Sequence, residues 1–468
     1  MTERRTPSRR TNAKRGSNAR PAVRRPSANA NPLFNPTDFR RSSSAPTDKQ
    51  PGLHIPTGNG EILITRRHFL YGALGVGALA AAAAGGTAIQ NAAKEQNNVS
   101  YLEVPQDAVF TLEDCTEIPV DQNLRLVGSY EFPYGTLAWS NNDSNAACLL
   151  PTESAKPLTQ VGIIDLASGT TTTILEGAIG QNEGFEIYDV RASEAGLIWT
   201  EANILKGTWR IYTATLHEVT LGVPTLVDQD DSRWETPSIA AVGTSAFWQR
   251  LPKPKGEAAK EDSLLRRAIF GSASSEVLYS SKGRMSTPIY PLQDSVVITP
   301  RVESANIYHQ LTRIGVSDGQ TLDSLILPAA MKPLEAGYGP TGFTFSFDSI
   351  YNYGEGIANL GTYVPKIPPD AGNYGGLPWF RFDKTPSAAP AWCGNFFMVK
   401  STRTICGINL ADKTYFSCDV ENGCEDWGDY LATTGTGKTI VTFANIDTTT
   451  ASGEVKKHCR VRIWSSIA

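Results

Sequence analysis

Histidine is scarce in this chain, at five in 468 residues. Beyond residue 100 only His217, His309 and His458 remain, and none forms a ligand-spaced pair. A multi-histidine copper centre is therefore excluded by count. A G-x-S-x-G elbow is also missing, so no hydrolase nucleophile is presented. Helical periodicity is nearly absent after residue 100, and the first 114 residues contain no cysteine. Charge is missing from 69 to 93, a run rich in Ala and Gly that Lys94 and Glu95 close.

That uncharged run is preceded by "TRRHFL". Thr65, Arg66, Arg67, Phe69 and Leu70 resemble the twin-arginine (Tat) export signal, Ser/Thr-Arg-Arg-x-Phe-Leu followed by a mildly apolar stretch, an address read by a receptor. The resemblance implies a Tat translocase as partner during export. The apolar run is long enough to cross a bilayer as a helix of about 20 residues. Gly86-Thr87-Ala88 is a poor cleavage site, so the helix either anchors the chain or is removed. Residues 1–67 carry 14 Lys+Arg against 4 Asp+Glu, and the remainder carries 29 against 43. The basic side stays cytoplasmic and the acidic body faces outward. The expected organisation is a disordered basic cytoplasmic tail (1–60) and a signal or anchor helix (61–93). A linker (94–104) and an exported domain (105–468) follow. The tail has too few large apolar residues to offset its ordering entropy.

All seven cysteines (115, 148, 393, 406, 418, 424, 459) fall in the body, which suits an oxidising compartment. Their odd count leaves at least one thiol without an intramolecular partner. In "CGINLADKTYFSC", Cys406 and Cys418 lie at equal distances from Asp412, the expected turn centre. They are expected to face each other across a hairpin and form a disulfide.

Internal repetition organises the body. Short apolar runs centre on Trp139, Trp199, Trp248, Ile298, Phe345, Phe397 and Val441, at a spacing near fifty. A second marker precedes the later centres: Phe185, Trp234, Met285, Met331, Phe382 and Trp427. Each unit continues through a strand, a polar turn such as Ser168-Gly169 or Asp318-Gly319, and another strand. Four short antiparallel strands per unit predict an all-β fold, a β-propeller of seven four-stranded blades. The irregular region 348–380 leaves six or eight blades open. The last unit lacks a strand, and "QDAVFTLEDC" (106–115) is expected to complete it, closing the ring and bringing Cys115 near Cys459 or Cys424.

Candidate chemistry is sparse. "ATTGTGKTIVTF" lacks the first Gly of a phosphate-binding loop and leads into a strand pattern, so it reads as a hairpin turn. The acidic "DQDDS" (228–232) reads as a solvated turn, with calcium as the alternative. No metal site and no cofactor is expected. The markers read mainly as packing between blades. The charged residues beside them do not repeat and are better candidates for a binding mouth of the central channel, Arg191, Glu235, Arg284 and Asp429, joined there by the markers Trp234 and Trp427. A Gly- and Tyr-rich segment (348–383) offers Tyr351, Tyr353, Tyr363, Tyr374 and Trp379 as a candidate binding loop. Taken whole, the chain resembles the Tat-exported propeller proteins of bacterial cell surfaces. The resemblance is close for Thr65–Leu70 and architectural for the rest, so no catalytic residue carries over. The leading expectation is a ligand- or protein-binding module outside the cytoplasmic membrane, for a peptide, glycan or envelope protein and not for nucleic acid, which the acidic body repels. The rival is a glycoside hydrolase or polysaccharide lyase on the same scaffold. A redox cofactor taken up before export is the third reading.

Overall fold

The computed structural model describes residues 109–468 except 153–158, 305, 330, 348–360, 364–378, 383–387, 401–402, 450–452 and 468. It also describes residues 99, 101, 102 and 104, and the backbone of a hairpin, Leu53–Thr57 with Gly60–Ile64. The export-signal residues Thr65, Arg66, Arg67, Phe69 and Leu70 lie outside the described residues. So do Tyr351, Tyr353 and Tyr374. Among the described residues no helix is long and apolar enough to cross a membrane.

The all-β expectation is borne out: among the described residues, strands follow one another with only short 3-10 turns between some of them. The first sheet is an antiparallel meander of Leu137–Trp139, Asn145–Pro151, Thr159–Asp165 and Thr171–Leu175. A five-stranded sheet over 186–230 and two four-stranded meanders over 239–281 and 290–326 follow. Next come a hairpin, Glu335–Gly339 with Gly342–Ser346, and a small sheet that includes Gly361–Tyr363 and Trp379–Phe382. Ala391–Cys393, Phe396–Lys400, Ile405–Asn409 and Thr414–Ser417 form the next meander. Tyr430–Leu431, Thr439–Thr449 and Val455–Ser466 belong to the last sheet.

The repeat follows from burial. In the second sheet the second strand, Gly196–Asn203, is buried at every position because sheets cover both its faces. The outermost strand of the first sheet, Thr171–Leu175, is polar and partly exposed. Trp199 and Trp248 are completely buried at the repeat centres. Truncating such a side chain to Ala costs about 3–5 kcal/mol. The markers Phe185, Met285, Met331 and Phe382 are buried as well. The first-sheet turn requires Gly169: its φ is +70°, and a Cβ there would stand 1.8 Å from the Tyr130 ring.

The N-terminal segment departs from expectation. Leu102 and Val104 are buried, and Leu102 N donates to Ile326 O (2.8 Å) at the outer edge of the fourth sheet. Val109–Phe110 runs parallel to Trp379–Phe382, and Thr116–Glu117 runs parallel to Thr414–Ser417. Only Leu124–Phe132 joins the last sheet, antiparallel to Val455–Ser466. The strand that completes the last unit is thus 124–132, and not 106–115. The earlier segment is used up along the outer edges of the two preceding groups, so Cys115 packs against the apolar cluster of Phe110 and Phe380, whereas Cys459 lies in another cluster. Hydrogen bonds saturate those outer edges in place of solvent.

The Cys406–Cys418 disulfide is also corrected, since all seven cysteines are free thiols. Register places Cys406 opposite Ser417, with Asn409 opposite Thr414. Cys418 is therefore one residue out of phase and points to the other face of the sheet. The two thiols sit in different apolar clusters, one on each side.

Candidate functional site

Hydrogen bonds between neighbouring sheets define two ends. The loops that follow the first strands lie together: Asn145 Nδ2 donates to Ser193 O (3.3 Å), and Ser193 Oγ donates to Gly243 O (2.7 Å). The segments that precede the first strands lie together at the opposite end. There Ile289 N donates to Ser238 Oγ (3.1 Å), Ser286 Oγ donates to Pro333 O (2.9 Å), and Tyr134 donates to Glu425.

The first end is filled by two loops. Asn141 Nδ2 reaches past its neighbouring sheet to donate to Ala241 O (2.7 Å). Gly435–Gly437 adds a short parallel strand on the inner side of Ala391–Cys393. Gly435 N donates to Tyr290 Oη (2.8 Å) in the fourth sheet, and Thr434 N donates to Ser140 O (2.9 Å) in the first. Asp143 holds this insertion by accepting from Lys438 N (2.9 Å) and Thr439 N (2.8 Å). The glycine-rich "TGTGK" is therefore a plug whose small residues permit close backbone approach, and it leads into a strand as expected.

The other end carries the charged groups. Glu235 forms an ion pair with Arg284, whose guanidinium also donates to Pro252 O (2.9 Å). Tyr188 lies close enough to Asp189 and Glu235 that their negative charge, added to burial, pushes its pKa up. Asp189 is buried, which raises its pKa even though Arg191 pairs with it. Glu335 begins the first strand of its hairpin with its side chain partly solvent-facing, yet desolvation there pushes its pKa up to about 7. Lys332, three residues earlier, has its pKa lowered by burial and by the cations Arg284 and Arg301, with Glu235 acting in opposition.

Of the residues singled out from sequence, Glu235 and Arg284 come together. Trp234 lies near them, with the Arg250 guanidinium 4.6 Å from its ring centroid. Arg191 is directed elsewhere, with its guanidinium 4.4 Å from the Trp139 ring centroid. Asp429 is buried in an ion pair with Arg462, so its carboxylate is committed to the core. Trp427 packs against the first apolar cluster, and its carbonyl accepts from Lys400 Nζ (2.6 Å). Trp379 is a correction: it is completely buried edge-on against Phe345, so it offers no stacking face to a ligand. Tyr363 ends the strand Gly361–Tyr363, opposite Phe380. In the acidic run, Asp230 is paired with Arg250, Asp231 with Arg233 (3.0 Å), and Asp228 accepts from Trp248 Nε1 (2.8 Å). Its charges are answered by the protein's own donors.

Sequence reasoning missed Arg301, Lys332, Glu335 and Asp189. Lys332 had a legible signal, since it follows marker Met331 as Glu235 follows marker Trp234. Asp189 sits at an irregularity in strand Glu186–Ala192, where the register shifts and alternation cannot assign a face.

No protein-family model and no curated protein sequence matches the chain. Solved structures similar to it include a prolyl endopeptidase, at 10% identity and a TM-score of 0.45 over 88% of this chain and 56% of that one. An oligogalacturonate lyase in complex with manganese is similar at 10% identity and a TM-score of 0.39, covering 74% and 98%. The β-propeller domain of the trilobed protease from Pyrococcus furiosus is similar at 10% identity and a TM-score of 0.37, covering 71% and 98%. The chain thus spans 56% of the endopeptidase's length. Likeness of this degree transfers no site and no activity.

Proposed function

We propose that residues 105–468 form a seven-bladed β-propeller, exported by the Tat route, whose open end binds a peptide, a glycan or an envelope protein. The fold part rests on strand groups that succeed one another at the repeat spacing. It rests also on the packing of Thr439–Thr449, in the last group, against Leu137–Trp139, in the first. On this reading the fifth blade is the hairpin plus the small sheet beside it, and Leu124–Phe132 closes the ring. The apolar run at 69–89 holds the propeller at the outer face of the cytoplasmic membrane, or releases it if cut.

The difference between the two ends is the observation that carries the binding role. One end is sealed by the Asn141 and Gly435 loops, while the other presents Glu235, Arg284 and Lys332 on loops of a rigid scaffold, with Glu335 at the start of a strand. A carbohydrate-active enzyme is the less favoured reading, because Glu235 and Asp189 are each committed to an arginine. Two tests separate the parts. Replacing both Arg66 and Arg67 with Lys should keep the body on the cytoplasmic side, and unchanged surface exposure would remove the export reading. The purified full-length chain should be retained on glycan or peptide arrays. Capture should weaken in Glu235→Gln at the open end and persist in Glu194→Gln at the sealed end. Equal loss in both variants would sink the open-end assignment.

A further inference from the structure

We propose that Arg301 and Lys332, backed by Arg284, form a binding site for one anionic oxygen group of a small ligand: a carboxylate, sulfate or phosphate. The proposal deepens the binding role of the open end and rests on that reading for its biological meaning.

Three hydrogen bonds, one between backbone groups and two between serine hydroxyls and backbone, converge these cations from separate segments. Ser286 N donates to Thr299 O (3.0 Å), which sets the segment carrying Arg284 beside the one carrying Arg301. Arg301 N donates to Ser281 Oγ (3.0 Å). Ser286 Oγ donates to Pro333 O (2.9 Å), which brings in Lys332. The Arg301 guanidinium lies over Gly283, where an added Cβ would stand 3.1 Å from Nη1. It borders an open pocket of about 270 Å³, also lined by Lys282, Ser304, Asn306 and the acid Glu303, which Lys282 pairs.

Charge at this place is unbalanced. Of the acids nearby, Glu235 is taken by Arg284 and Glu303 by Lys282. Among the described residues, neither Arg301 nor Lys332 has an ion-pair partner, and the buried Arg301 Nε makes no hydrogen bond. Burial and the charge of Arg284 depress the pKa of both groups. Burial lowers the pKa of the adjacent His309 to about 4, and the charges of Arg301 and Lys332 add to the fall. Three cations around one acid form an arrangement that an oxyanion would relieve. Arginine's planar fork suits carboxylate, sulfate and phosphate oxygens, and charge-assisted hydrogen bonds are about twice as strong as neutral ones. The acidic body at large repels polyanions, so the site selects a small ligand over a polymer.

The test is thermal denaturation and titration calorimetry of the full-length chain with inorganic phosphate, sulfate or acetate, each against chloride at equal ionic strength. At least one oxyanion should stabilise the protein saturably beyond chloride. The double variant R301Q/K332Q should weaken that binding tenfold or more, while K456Q, at the exposed pair with Glu131, should retain it. Without oxyanion at low salt, R301Q and K332Q should melt no lower than the parent, because each removes a repulsive charge. That result also shows that the variants fold. Phosphate or sulfate preferred over acetate would mark an ester ligand, and the reverse a carboxylate. No shift beyond chloride, or undiminished binding in the double variant, overturns the proposal. Oxyanion binding with silent arrays would remove the wider binding role and leave this site standing. Captured ligand without oxyanion binding would do the opposite.

Discussion

Tyr290 Oη accepts the backbone N–H of Gly435 at 2.8 Å and donates its own hydrogen to Pro390 O at 2.7 Å. One phenol in the fourth sheet thus fixes the plug and the entry to the sheet at 391–417. Its depth is reflected in a phenol pKa raised by burial.

Tyr290→Phe should therefore destabilise the protein by about 2 kcal/mol or more, since a buried donor and a buried acceptor both lose their partner. Gly435→Ala should be as damaging. Its φ is +82°, and the new Cβ would lie 3.0 Å from Pro291 O. Urea denaturation of both variants checks this, and parental midpoints would show that the plug is not fastened through Tyr290.

The outer belt makes a second prediction. A chain starting at residue 101 keeps every described pairing of the body, so it should remain monomeric. A chain starting at residue 134 loses Leu124–Phe132 and bares one edge of the 12-residue strand Val455–Ser466. Such an edge invites pairing with another chain. Light scattering should report aggregation of the shorter form only.

Two desolvated groups, the buried His309 and the half-buried Glu335, act on stability in opposite pH directions. His309 is held neutral, with its pKa falling from 6.5 to about 4. The unfolded chain then binds more protons between those values, so stability falls as pH drops from 6.5 towards 4, by about 3 kcal/mol at most. Glu335 is raised from 4.5 to about 7. The folded chain binds more protons in that window, so stability contributed below pH 4.5 is lost as pH rises through 7. In melting curves at pH 4.5, 6 and 8, His309→Gln should flatten the acid fall. Glu335→Gln should remove the loss towards pH 8. Parental pH profiles in either variant would refute the corresponding assignment.

Thiol chemistry gives a fourth prediction. Denatured without reductant, the protein should titrate seven free thiols, whereas a Cys406–Cys418 bridge would leave five. In the native state Cys115 and Cys424, half-buried, should react first. Cys148, Cys393 and Cys418 are buried with pKa values pushed up to about 12, so they should stay inert.

The repeat was legible in sequence because it follows from local burial. Strands covered on both faces must be apolar throughout, and that requirement placed Trp199 and Trp248 at their centres. The turns at Gly169 and Gly319, both with positive φ, were legible for the same local reason. Pairing between distant segments was not. The Cys406–Cys418 expectation took Asp412 as the turn centre. Asn409 Oδ1 instead accepts from Ala411 N (3.1 Å) and Asp412 N (3.2 Å), and the register lies one residue from that expectation, which sends Cys418 to the opposite face. Segments 106–115 and 124–132 are both strand-like, and only the match of 124–132 to Val455–Ser466 settled which completes the last sheet. The cation cluster of Arg284, Arg301 and Lys332 belongs to the same class. Its members come from three segments whose meeting depends on hydrogen bonds of Ser281 and Ser286 between sheets. Amino-acid order determines what each strand must bury, whereas shared edges and charges exist only once the sheets have packed.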